Sequence, residues 1–422
     1  MATNPQAEMA DALLTIPQGV ARLAASPPVR SAVSWFRSNE GLLAQWQLEL
    51  SRIPAPPFGE AARADWLQRR FRELGLHQVH TDQAGNVLGM LPGSAQSCVA
   101  LSAHLDTVFP AGTPLNVKRQ GTRLYGPGVS DNGAGVTALL AMAAAFQACQ
   151  VPHPLPILFI GNVGEEGEGD LRGMRHFFAA SAYRDLVLHT LVLDGAGSDT
   201  VVAEALGSRR FEVIVRGPGG HSWSDFGAPN PILVLGRAIY EFAQTPLPSS
   251  PKTTFNIGVV RGGTSVNSIP ESASMRVDIR STSATELERV EAALRLALER
   301  AVQAESEAAA KHAAAHQRAI GLSSEIVVIG DRPAGELDAN ARILQVIRAV
   351  DAHLGNVAPV QRASTDANIP LSLGREAIAI GGGGAGGGAH TLQEWFDCNG
   401  RELGLKRILL TTLILAGAAN ES

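Results

Sequence analysis

Four short runs constrain this chain more than anything else in it. NVLGML, CVALSAHLD, LPILFIGNV and LHTLVLDG are apolar almost throughout, where a strand with one wet face would alternate. Strands like these must be covered on both faces, and a helical stretch, GAGVTALLAMAAAFQA, lies between the second and third. Upstream, SAVSWFRSNEGLLAQWQLELSRI reads as one helix and EAARADWLQRRFRELG as another, ending at Gly75. Strands alternating with helices predict an α/β sheet whose functional groups gather at the carboxyl ends of its strands.

The texture changes at Arg209. RRFEVIVRG alternates polar and apolar residues, as a half-exposed strand does. After it come a helix (PNPILVLGRAIYEFAQ), two more alternating strands (TTFNIGVVRGG and SASMRVDIRS), a long helix from Ala284 to about Ala319, and a last strand, SEIVVIG. That β-α-β-β-α-β order is the split βαβ, ferredoxin-like arrangement. The remainder carries a helix (NARILQVIRAV), a strand (EAIAIGGGG) and a closing helix (ELGLKRILLTTLILAGAA), which return most simply to the first sheet. The expected organisation is a discontinuous domain, residues 1–208 and 332–422, interrupted by an α+β insertion at 209–331.

Composition narrows the function classes. At 422 residues there is ample length for two cores, and a net charge of −5 gives no reason to propose nucleic acid as a partner. Cys98, Cys149 and Cys398 lack CxxC spacing, which fits a reducing compartment and neither a disulfide framework nor a thiolate metal site. The opening MATNPQAEMADALLTIPQGV has no basic segment followed by an apolar run, so no secretory signal is read there. TALLAMAAAFQA falls short of the roughly twenty apolar residues of a membrane span. A cytoplasmic protein is the expectation.

The chemistry-bearing residues follow the strands. CVALSAHLDTV supplies His104 and Asp106, LYGPGVSDNGAG supplies Asp131 at the mouth of a helix, and ILFIGNVGEE supplies the adjacent pair Glu165 and Glu166. LVLDGAG supplies Asp194, and the glycine-rich AIAIGGGGAGGGAH ends in His390. Two neighbouring carboxylates repel and are costly to bury without positive charge nearby. A cluster of carboxylates and imidazoles without thiolates suits zinc, with manganese or cobalt as alternatives, and two divalent cations would offset the acids.

These stretches, with GPGGHSW followed by GAPNP, GGTSVNSIPESASMRVDIR and AHTLQEW, resemble the M20 metallopeptidases, a family of aminotripeptidases, carboxypeptidases and N-acyl amino acid deacylases. The resemblance runs from residue 104 to 395 and implies a catalytic α/β domain with an inserted lid that often dimerises. It implies that Asp131 bridges two metals, His104 and Asp194 completing one site and Glu166 and His390 the other. Glu165 would be the general base that holds the attacking water. Asp106 would accept the other N–H of the His104 imidazole and fix its tautomer. His221, at the end of the first lid strand, would donate to the oxyanion, from its own chain or across a lid-mediated homodimer. Asn267 and Arg280, on adjacent lid strands, would bind the substrate's terminal carboxylate, for which the planar guanidinium is suited.

Other features read as ordinary. The glycine run lacks the Lys-Ser/Thr ending of a phosphate loop, and glycines there let backbone crowd the metals. His312 and His316, one helical turn apart, lack the glutamate of HExxH and read as a solvated face. STDAN, residues 364 to 368, resembles a family segment to which no role is assigned. Asp at position 194 favours a tripeptidase-like aminopeptidase acting on short peptides. A carboxypeptidase or N-acyl amino acid amidohydrolase is the alternative, and a non-catalytic metal-dependent binding protein the alternative of another class.

Overall fold

The computed structural model describes residues 15–313 and 321–420; residues 1–14 and His316 lie outside them. The chain divides into two compact units. One comprises the described residues through Glu204 and those from Glu336 onward, and the other is Ala205–Gly335.

The first unit is built on a nine-stranded mixed sheet. Its centre is parallel, in the spatial order Ile157–Asn162, Cys98–His104, Val187–Leu193, Glu376–Ile380. Every residue of Cys98–His104 and Ile157–Asn162 is buried, which is what their unbroken apolar character predicts. Val87–Leu91 and His77–Thr81 extend one side antiparallel, and Val201–Ala205 flanks the other, next to Glu376–Ile380. Helix Gly133–Ala148 is buried from Gly133 to Phe146. The C-terminal strand therefore does return to the first sheet, its Ile380 opposite Leu193.

The second unit is a four-stranded antiparallel sheet ordered Thr253–Gly262, Ser272–Ser281, Gly207–Arg216, Ser323–Arg332. Helices Pro231–Ala243 and Ala284–Ala313 pack on one face. Alternate residues of the strands, Phe211, Val213 and Val215 with Met275, Val277 and Ile279, meet Val234, Phe242, Val290 and Leu294 of the helices in a buried core. The other face carries charged residues in register, such as Arg210 opposite Asp278 and Glu212 opposite Arg276.

Two local readings change. The expected single helix over SAVSWFRSNEGLLAQWQLELSRI is two, Pro27–Ser38 and Glu40–Ser51. The break is at Asn39, which leaves helical geometry (φ −108°, ψ 13°) and turns its Nδ2 onto Trp35 O at 2.9 Å, a local bond that competes with the helix. An earlier helix, Ile16–Ala25, precedes them, opened by a capping box in which Thr15 and Gln18 bond reciprocally.

Candidate metal centre

Parallel strands present their carboxyl ends on one side of a sheet, so His104, the Val163–Glu166 turn and Asp194 start from neighbouring positions. Asp131 arrives from elsewhere, on the Gly126–Asp131 turn that leads into helix Gly133–Ala148. Asn132 fixes the junction. Its Nδ2 donates to Leu193 O (2.9 Å), and its Oδ1 accepts from the N–H groups of Gly135 and Gly195, each at 3.0 Å. One side chain therefore caps the helix and ties the turn of Asp131 to that of Asp194.

His390 is held by a second, four-stranded sheet of very short strands: Lys118–Gln120, Arg123–Tyr125, Trp395–Asp397 and Ala385–Gly387. His390 lies in the connection between the last two and has φ +65°, rare for a non-glycine residue. The glycines before it are needed for close approach, though not to a metal as the sequence suggested. What crowds them is the backbone and side chains of the other ligand turns: a Cβ on Gly381 would lie 2.4 Å from Ala196 O, and one on Gly386 2.3 Å from Ser130 Oγ.

The five side chains come together. His104 Nε2 lies 3.2 Å from Asp131 Oδ1 and 3.6 Å from Asp194 Oδ1. His390 Nε2 lies 3.0 Å from Asp131 Oδ2 and 3.1 Å from Glu166 Oε1. The two oxygens of Asp131 therefore serve different clusters, His104–Asp131–Asp194 and Asp131–Glu166–His390. Ligand atoms about 2.0–2.1 Å from one tetrahedral zinc stand about 3.3 Å apart, and the distances here bracket that spacing. Asp131 Oδ1 is buried without a hydrogen bond, an oxygen that a cation would satisfy. The donor set and its spacing fit two divalent metals.

The electrostatics of the same groups explain how two adjacent acids are tolerated. Burial would push the Asp131 carboxyl up, but His104 and His390 hold it well below the usual range. Burial and the charge of Asp131 push Glu166 up to about 7. The bond to Asp131 raises His390 to about 9, and His104 is raised well above its ordinary value because Asp106, Asp131 and Asp194 outweigh its burial. The two imidazoles offset part of that rise at Glu166.

Asp106 takes up a wider task than expected. Its Oδ1 and Oδ2 accept the backbone N–H groups of Glu165 (3.0 Å) and Glu166 (2.7 Å), while His104 Nδ1 faces the main-chain oxygen of Asp106 at 3.1 Å and its carboxylate only at 3.6 Å. Glu165 is buried and, with His104 and Glu166, forms a third grouping of potential donors. Gly164, at φ +67°, makes the turn that aims both glutamates.

The remaining predicted residues belong to the second unit. His221 lies beyond the first strand of that unit, in a two-residue strand of its own, Gly220–His221, paired with Ser268–Ile269. Its Nδ1 accepts from Trp223 N at 3.1 Å, which leaves the proton of a neutral ring on Nε2, a donor. Asn267 is in the turn just before Ser268–Ile269, and its main-chain oxygen accepts from Ser222 N at 3.0 Å. The expectation that Asn267 and Arg280 share adjacent strands is thus corrected: the structure joins Asn267 to the His221 turn. Arg280 is on Ser272–Ser281, in the four-stranded sheet, where its Nε bonds Asp278 at 2.7 Å.

The sequence profile of peptidase family M20/M25/M40 matches residues 100–415. The chain belongs to that family. Among its relatives, a probable carboxypeptidase of Ajellomyces capsulatus is 31% identical over 224 residues, 49% of this chain and 50% of that protein. The chain spans about half the length of the curated relatives it matches. Aminopeptidase PepT from Bacillus cereus superimposes with a TM-score of 0.71 at 20% identity, over 90% of this chain and 99% of that one. A tripeptidase from Staphylococcus aureus gives 0.70 at 22% identity, with the same coverage. At these identities the likeness is one of fold.

The sequence reading assigns no role to several residues around this centre. Glu394, fully buried, accepts backbone N–H groups of the turn that carries Asp131. Gln47 donates to Val129 O and Ser51 to Gly128 O (3.2 Å) on the same turn. Asp366 of STDAN is fully buried and accepts from Asn162 Nδ2 at 2.6 Å, its other oxygen lacking a hydrogen bond, and burial pushes its carboxyl up to about 7.

Proposed function

We propose that this M20 chain is a dinuclear metal-dependent hydrolase that cleaves the amide bond of short peptides, as a tripeptidase-like aminopeptidase. The observation that carries the reading is the placement of Asp131, one oxygen toward His104 and the other toward His390, with Glu165 on the adjoining turn. His104, Asp131 and Asp194 would hold one ion, and Asp131, Glu166 and His390 the other. Zinc is the ion proposed, with manganese or cobalt able to use the same donors. What two such ions supply is a polarised carbonyl and a water acidic enough to attack near neutral pH.

The chain's own residues account for the rest. Glu165 takes the proton of the attacking water and passes it to the leaving amine. Asp106 keeps Glu165 and Glu166 aimed by holding both of their backbone N–H groups. His221, with its proton on Nε2, donates to the developing oxyanion, and Asn267 and Arg280 receive the substrate's terminal carboxylate. The Arg280 side chain is 42% exposed, so its fork is accessible to a ligand as well as to Asp278.

Support for a homodimer through the inserted unit comes from its surface, where Trp223, Phe226, Tyr240 and Val260 are exposed apolar side chains, Trp223 at 87%. No helix among the described residues is long and apolar enough to cross a membrane, and three free cysteines support a reducing, cytoplasmic setting.

Aminopeptidase character is supported by Asp194 beside His104 and by the likeness to PepT and the tripeptidase. The names of the curated relatives support a carboxypeptidase or N-acyl amino acid amidohydrolase as the second reading. Metal content, with turnover of a panel of dipeptides, tripeptides and N-acyl amino acids, decides among them. Cleavage confined to free N-termini supports the first reading, and cleavage of N-acylated substrates the second. Two bound metals with no turnover would mean a binding protein.

A further inference from the structure

We infer that Glu394 is the positioning residue that fixes Asp131 between the two metal sites. The inference rests on the dinuclear reading and adds a residue that the ligand set does not contain. Glu394 Oε2 accepts from Gly128 N at 2.7 Å, and Oε1 accepts from both Ser130 N and Asp131 N, each at 2.7 Å. Its exposure is 0%. A buried carboxylate that engages both oxygens with three amides of one turn is committed to that turn. Its work is to hold the turn.

The held turn is the one that presents Asp131, the residue common to both clusters. Two of its carbonyls are held as well, Val129 O by Gln47 and Gly128 O by Ser51. Glu394 also stands four residues after His390 and directly before strand Trp395–Asp397, and its main-chain oxygen accepts from Gly126 N at 2.9 Å. One short segment thus carries a ligand and clamps another that is 259 positions away in sequence. The arrangement mirrors Asp106, which holds the Glu165–Glu166 turn in the same manner.

Buried Arg63 lies near the same turn, its Nη2 3.6 Å from where a Cβ on Gly128 would stand. It is 1% exposed, donates to Ile53 O (2.8 Å) and Leu105 O (2.9 Å), and feels Asp106 and Glu394 as its stabilising charges. Burial lowers it only to about 10, so it stays charged at neutral pH. Glutamine is a poor substitute for Glu394, because its NH2 would meet a backbone N–H where an acceptor is required.

The test is calorimetric titration of zinc into chelator-stripped E394Q, E394D and wild-type protein, with D351N as control. Asp351 is also buried and forms a two-pronged pair with Arg407 at 2.6 and 2.8 Å, but touches no ligand turn. E394Q should weaken both sites by about ten- to a hundredfold, as loss of a group supporting a ligand does, with kcat falling while KM changes little. E394D, which keeps the charge on a shorter arm, should fall between, and decides the matter if E394Q does not fold. D351N should unfold at lower temperature with wild-type zinc affinity. Wild-type zinc binding by both Glu394 variants, or equal weakening in D351N, overturns the inference. Fewer than two zinc ions in the wild type would overturn the dinuclear reading first.

Discussion

Removing the Glu165 carboxylate separates a base from a ligand. The main chain of Glu165 is anchored through its N–H to Asp106 Oδ1 at 3.0 Å, a bond that alanine retains, and Glu166 N keeps Asp106 Oδ2 at 2.7 Å. Glu165→Ala therefore leaves Glu166 where it is. Each proposed metal also keeps three protein donors, His104, Asp131 and Asp194 for one and Asp131, Glu166 and His390 for the other, a set that a zinc site can complete with water. The loss should fall on proton transfer alone. A positioned general base contributes about 10²- to 10⁴-fold, which at 1.36 kcal/mol per tenfold is about 2.7–5.4 kcal/mol of transition-state stabilisation. The expected result is kcat reduced by that factor, KM within a few-fold of wild type, and two metals per chain by elemental analysis. Glu165→Gln, which preserves volume, should match it. His104, Glu165 and Glu166 also lie close enough together to hold an ion, so the opposite outcome is concrete. If either variant retains one metal, Glu165 is a ligand and its role as base is refuted.

Zinc affinity of the stripped protein should climb with pH between 7 and 9, because His390, raised to about 9 by Asp131, and His104, raised by Asp106, Asp131 and Asp194, must both shed a proton to bind metal; the slope is at least about tenfold per pH unit, and a flat affinity over that range counts against both as ligands. Arg280→Ala should lower kcat/KM by about ten- to a hundredfold for substrates with a free C-terminal carboxylate and far less for amidated ones, the loss of a charge-assisted pair worth about 1.5–3 kcal/mol. Equal losses on both would remove Arg280 from carboxylate binding. Mixing Glu165→Ala with His221→Ala protein, each inactive, should restore partial activity after subunit exchange if His221 serves the partner's site, since one site of the mixed dimer is then whole; a mixture that stays inactive places His221 in its own chain's chemistry.

Much of the fold was legible because burial on both faces of a sheet leaves a continuous apolar mark. Cys98–His104 and Ile157–Asn162 are such segments, and the alternation of Phe211, Val213 and Val215 announced the inserted sheet equally well. His77–Thr81, an edge strand exposed at all but one position, has no apolar pattern to read. The three-residue strands that hold His390 are shorter than two periods of a pleat, so no alternation can be recognised in them. They are stabilised by pairing between segments distant in sequence, as Trp395 with Tyr125.

The site divides in the same way. His104, Glu165, Glu166 and Asp194 are marked by the strands they follow, and His390 by the glycine run, whereas their joint geometry needed the family resemblance. Groups such as Glu394 and Gln47 act by meeting backbone amides and carbonyls brought to them by the fold, and any stretch of backbone offers those. Spacing therefore says nothing about them. Arg63 is the exception, since a signal existed. In EAARADWLQRRF it shares a helix stripe with Trp66, Leu67 and Phe71, all buried, and a charged residue on an apolar stripe must find compensation inside the protein. That stripe alone calls for at least one buried carboxylate nearby, and the fold brings two near it, Asp106 and Glu394. The candidate centre thus extends beyond its proposed ligands: Glu394 and Asp106, both buried, hold the turns on which Asp131, Glu165 and Glu166 stand.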